Sequence, residues 1–98
     1  MFTDKEKEMF YNPYFNIISE GTYAYEIQSK NTGNYWKVML VKNHTYVKLF
    51  HKYNKKDKYH VQTTSAGVFE ALLEIICHDD YKLNIKSSFF EEFVRKYS

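Results

Sequence analysis

Cysteine, arginine, proline, glycine and long apolar runs are all scarce in this 98-residue chain, and each shortage closes off a class of protein. One cysteine, Cys77, can form neither an intramolecular disulfide nor a thiolate zinc cage. That excludes a disulfide-framed secreted mini-protein and makes a reducing compartment the default. One proline and three glycines leave no flexible linker, low-complexity tract or repeat. A chain this short then reads as a single domain spanning residues 1–98. The longest unbroken apolar run, residues 38–41, is far too short to cross a bilayer, and Asp4, Lys5, Glu6, Lys7 and Glu8 do not resemble the start of a signal peptide. A cytoplasmic protein with no membrane partner is the expectation. Arginine occurs once, at Arg95, so the forked guanidinium that dominates base and phosphate recognition is nearly missing.

Aromatic residues are what the chain has in excess. Ten Tyr, eight Phe and one Trp make up 19% of it, which argues against disorder, because rings supply large buried areas. More rings than one small core can absorb also predict a homodimer that buries the surplus across a two-fold axis.

The periodicity predicts an α+β fold. Thr3 and Glu6 have capping-box spacing and open a short helix that Pro13 ends. From Tyr14 to Thr64 the pattern alternates with period two between turn residues, giving five antiparallel strands over residues 15–20, 23–29, 35–42, 45–53 and 58–63. Asn31, Thr32, Gly33 and Asn34 form a hairpin turn, and Asn43-His44 another. The apolar stretch 38–41 suggests a central third strand buried on both faces. Short loops connect neighbours, so the strands form a meander. A covering helix is expected over residues 65–78, with Ser65 as its N-cap, Cys77 buried near its apolar stripe, and Asp79-Asp80 at its end. A second capping box, Ser88 to Glu91, opens a last helix with Phe89, Phe90, Phe93, Val94 and Tyr97 inward.

The charge is distributed unevenly. The formal net charge is +2, yet residues 30–60 hold eight lysines against one aspartate, between acidic ends. Alternation along the fourth strand sends Thr45, Val47, Leu49 and His51 to one face and Tyr46, Lys48, Phe50 and Lys52 to the other. The second set interleaves rings with ammonium groups. Single-stranded nucleic acid needs both, rings to stack bases and cations to neutralise phosphates. Lys37 and Tyr35 on the third strand can join that face, and the Lys55/Lys56 turn can extend it. The plain alternative is that these lysines serve solubility and protect hairpin ends.

Chemistry beyond binding finds little support in the residue spacing. His44, His51, His60 and the run Cys77-His78-Asp79-Asp80 lack any spacing diagnostic of a metal site, and no phosphate loop or cofactor motif exists, so neither metal nor cofactor is expected. Cys77 reads as an inert thiol rather than a nucleophile. A small metal-independent ribonuclease would need a base, an acid and cations, for which His51, His60, Lys48 and Tyr59 are candidates on adjoining strands. A binding protein without catalysis is the leading expectation, its partner nucleic acid. The second is a protein partner, with the chain acting as an inhibitor or adaptor on a host or phage protein through a sheet edge or the aromatic face. The ribonuclease is third.

Three stretches carry a resemblance: Asn12-Pro13-Tyr14-Phe15-Asn16-Ile17-Ile18-Ser19, Ser29-Lys30-Asn31-Thr32-Gly33-Asn34-Tyr35-Trp36, and His78-Asp79-Asp80-Tyr81. Together they resemble small proteins of prophages and conjugative elements in low-GC Gram-positive bacteria. That resemblance implies a context, in which accessory proteins often bind DNA or inhibit host proteins, and assigns no residue a role. Trp36 in the second stretch is expected to plug the core, leaving the Tyr35 ring available on the opposite face.

Overall fold

A computed structural model describes residues 1–43 and 45–98. The chain runs α1 (Asp4–Phe10), β1 (Phe15–Glu20), β2 (Ala24–Ser29), β3 (Tyr35–Leu40), β4 (Val47–Lys52), β5 (His60–Ser65), α2 (Val68–Leu83) and α3 (Phe89–Tyr97). The five strands form one antiparallel sheet in the order β1-β2-β3-β4-β5, the meander that the short connections imply. Gly33 takes φ of +77° in the β2–β3 turn, the left-handed conformation that lets this hairpin close tightly.

Local chemistry explains the first element. The Thr3 hydroxyl accepts from the Glu6 amide while the Glu6 carboxylate accepts from the Thr3 amide, and the helix ends at Phe10, three residues before Pro13. Two turns cannot stand alone in water. Burial of Met9 and Phe10 holds them, with the Phe10 ring stacked on Tyr25 at 4.2 Å.

Alternation decides which face each strand residue covers. Tyr25, Ile27, Trp36, Val38, Val47, Leu49 and His51 turn to one side and are buried with Val68, Ala71, Leu72, Ile75 and Ile76 of α2. The helices lie on that side, and overall dimensions of 37 × 34 × 20 Å fit one sheet layer plus one helix layer. The other side carries Glu26 and Gln28, Tyr35, Lys37 and Met39, and Lys48, Phe50 and Lys52, all only half-buried. β3 is central, but the expected burial on both of its faces does not hold, since only the helix-side face is covered.

Several boundaries differ from the sequence-based expectations for physical reasons. The strand ends shrink to residues 24–29, 35–40 and 47–52, while β5 shifts to 60–65. Ser65 is therefore a strand residue, and Gly67 is the N-cap of α2. The helix does not end at Asp79-Asp80 but continues to Leu83, closed by Asn84 in the left-handed conformation. Both acids are engaged by hydrogen bonds, Asp79 in the interior and Asp80 through the Ser87 hydroxyl at 2.7 Å and amide at 3.2 Å. Those bonds offset the unfavourable placing of negative charge near a helix C-terminus. Cys77 is exposed rather than buried, because it falls between the inward Ile76 and the inward Asp79. The second capping box does not form. Ser88 has helical backbone angles, and its hydroxyl donates to the Glu92 carboxylate at 3.2 Å. In α3 only Phe93 and Tyr97 are fully inward, Phe90 packs partly against the core, and Phe89 is exposed.

Candidate nucleic-acid interface

The open face of the sheet gathers rings and ammonium groups from three strands and one turn. Cross-strand pairing sets Lys37 beside Phe50 and Tyr35 beside Lys52. Tyr59 precedes β5, and because His60 turns toward the helices beside His51, Tyr59 turns to the open face. The result is a cluster in which Lys37 Nζ lies 4.6 Å from the Phe50 ring centroid and 5.1 Å from that of Tyr59. Lys52 Nζ lies 4.4 Å from the Tyr59 centroid and 5.5 Å from that of Tyr35. Burial pushes the Tyr59 hydroxyl well above the usual phenol range, and the neighbouring Glu26 carboxylate adds to the effect. This ring is therefore neutral at any physiological pH.

The expected site residues divide into three groups. Lys37 lies on Phe50, and Lys37 and Lys52 are brought together over the shared Tyr59 ring. Lys48 lies on the same face, opposite Met39 of β3 and Thr64 of β5. Tyr46 is half-buried just before β4, and Lys55 and Lys56 are exposed in the β4–β5 turn, where Lys52 Nζ donates to the Lys55 carbonyl at 2.9 Å. Tyr59, not among the expected binding residues, joins them on this face, as its alternation with His60 allows. Glu26, opposite Lys37 on β2, is the one carboxylate among the face residues named here.

The sheet separates the residues a ribonuclease reading would combine. His51 is buried on the helix side, whereas Lys48 and Tyr59 lie on the open face. His51 instead meets His60 at 5.3 Å and His78 at 5.2 Å between ring centroids, and rests on Trp36 at 4.3 Å. His78 is half-buried against Trp36. Neither His51 Nε2 nor His78 Nδ1 has a hydrogen-bond partner. Burial, reinforced by the nearby His78, His60 and Lys82, lowers the His51 imidazole from its ordinary value to about 4. Among the described residues no group of three His, Cys, Asp or Glu is arranged to hold a metal ion. His44 lies outside the described residues.

A third polar cluster has a structural role. Fully buried Asp79 accepts from the Tyr14 hydroxyl at 2.7 Å and the Thr32 hydroxyl at 3.0 Å, while Trp36 Nε1 donates to Ser29 at 3.0 Å beside it. Burial raises the Asp79 carboxyl, opposed by hydrogen bonds from Ser29, Tyr14 and Thr32 and by nearby His78. The three stretches quoted above as carrying a resemblance, far apart in the chain, thus meet around one carboxylate that pins the β2–β3 hairpin to α2. No helix is long and apolar enough to cross a membrane among the described residues. The chain matches no family model, no curated protein and no solved structure.

Proposed function

We propose that this protein is a non-catalytic binding module that holds single-stranded nucleic acid on the open face of its sheet. The observation that carries the reading is the placing of two ammonium groups over three rings on the face no helix covers, Lys37 on Phe50, Lys52 on Tyr35, and both on Tyr59. A contact between an ammonium and a ring stabilises by about 0.5–2 kcal/mol from exposed to desolvated sites, and Lys37 and Lys52 are half-buried. A phosphate therefore displaces a ring readily, and the freed ring offers its face to a base, where stacking is worth about 1–3 kcal/mol. Lys48, Lys55 and Lys56 extend the positive field along the strand and turn. Binding by rings and point charges reads the backbone and the π-faces rather than sequence, consistent with the lack of guanidinium forks. The proposed setting is an accessory protein of a mobile element, in keeping with the resemblance of its three motif stretches.

Fluorescence anisotropy with labelled oligo(dT) and oligo(U) at two salt concentrations tests this. Affinity should fall steeply with salt, and the pair Lys48→Glu with Lys52→Glu should abolish binding while the circular dichroism spectrum stays native. Undetectable binding at low salt would refute the reading and leave a protein partner as the hypothesis to pursue.

A further inference from the structure

A second ring-and-ammonium contact lies away from the sheet face. Lys82, in the last turn of α2, places its Nζ 4.5 Å from the centroid of Tyr53, the residue that follows β4. The Tyr53 ring is half exposed and that of neighbouring Tyr81 is 88% exposed. Between this contact and the open face runs the β4–β5 turn with exposed Lys55, Lys56 and Lys58. The β2–β3 turn bearing Lys30 lies at the same end, because Tyr35 at the start of β3 pairs with Lys52 at the end of β4.

Three carboxylates of this end accept hydrogen bonds from the protein itself. Asp57 accepts from the Asn54 amide at 3.1 Å, Asp80 from Ser87, and Asp79 is buried under Tyr14 and Thr32. Lys55, Lys56 and Lys58 stand exposed to solvent beside them. The molecule is only 20 Å through its thinnest dimension, so the sheet face and the end of α2 are within reach of one flexible strand.

We infer that a nucleic-acid strand held on the open face continues around the β4–β5 turn onto the C-terminal end of α2, where Tyr53 stacks a base and Lys82 neutralises a phosphate. This rests on the proposed function and extends it to a track that wraps one end of the molecule. A longer strand then gains contacts that a short one cannot reach.

The test uses oligo(dT) of two lengths, about 4 and about 16 nucleotides, the two ends of the range of site sizes of small single-strand-binding domains. Lys82→Glu should weaken the longer oligonucleotide about tenfold and leave the shorter one unchanged. Lys82→Met should lower the salt slope of the longer by about 0.7, the contribution of one phosphate on a single strand. Lys5→Glu on α1 serves as the control for total charge. Unchanged affinity of the longer oligonucleotide in Lys82→Glu, with binding still abolished by Lys48→Glu and Lys52→Glu, overturns the track and leaves the open face standing. An equal loss in Lys5→Glu also overturns it, since the effect is then one of net charge. If the native protein binds neither oligonucleotide at low salt, both readings fall together.

Discussion

Acidification should destabilise this protein through His51, and the size of the effect follows from its surroundings. The imidazole is buried on the helix side of the sheet, over Trp36 and between His60 of β5 and His78 of α2, with Lys82 near enough to repel a positive charge. Its ordinary value is 6.5 and in the fold it lies at about 4. Between those two values the unfolded chain holds a proton there that the folded chain does not, so stability rises with pH across the window. The contribution is intact above pH 6.5, falls as the pH drops, and is fully lost below about 4. The gap corresponds to about 3 kcal/mol, and for a domain of this size to a fall of roughly 12–24 °C in melting temperature. Asp79 acts in the opposite sense, because its raised carboxyl is relieved by protonation, so a bare pH profile mixes the two. The informative quantity is the difference between native protein and His51→Leu, measured by thermal melts followed by circular dichroism from pH 7.5 to 4. At neutral pH the variant should be as stable or more so, since it removes a buried nitrogen without a partner. Toward pH 4 the native protein should lose about 3 kcal/mol relative to it. Parallel curves, differing by a constant over the whole range, would refute the argument.

Three further substitutions test the buried carboxylate and the hairpin turn. Asp79→Ala strips the Tyr14 and Thr32 hydroxyls of their buried acceptor and should cost about 3 kcal/mol in urea unfolding; Tyr14→Phe should cost less, because it deletes one donor and leaves the carboxylate its other hydrogen bonds. Gly33→Ala meets no atom within 4 Å but must adopt φ of +77°, so a loss of about 1 kcal/mol is expected, and no loss in the same assay would show that the turn relaxes to another form.

The candidate site was partly legible before the fold was known. Period-two alternation separates Val47, Leu49 and His51 from Lys48, Phe50 and Lys52, and the structure keeps that division because a strand with one covered face has no other register that buries its apolar residues. Lys37 followed by the same rule. Tyr59 was not among the expected site residues, because alternation says only that it opposes His60, and His60 takes its side from His51 across the strand pair. Tyr53 and Lys82 could not be joined from sequence, being 29 positions apart with no shared period.

The sequence by itself determined the α+β class, the five-strand meander, the buried Trp36 and the placing of positive charge in the middle hairpins, because each rests on local periodicity, turn chemistry or composition. Only the tertiary structure decided the rest. It ran α2 past two aspartates, gathered the imidazoles of His51, His60 and His78 into one cluster, and laid Lys37 and Lys52 across rings from neighbouring strands and a turn. Those outcomes depend on which helix covers which strand and which acids find donors, and such long-range pairing leaves no periodic trace in the chain. The scarcity of arginine, glycine and proline set limits on the protein, and the packing of the sheet chose the surface that remains open.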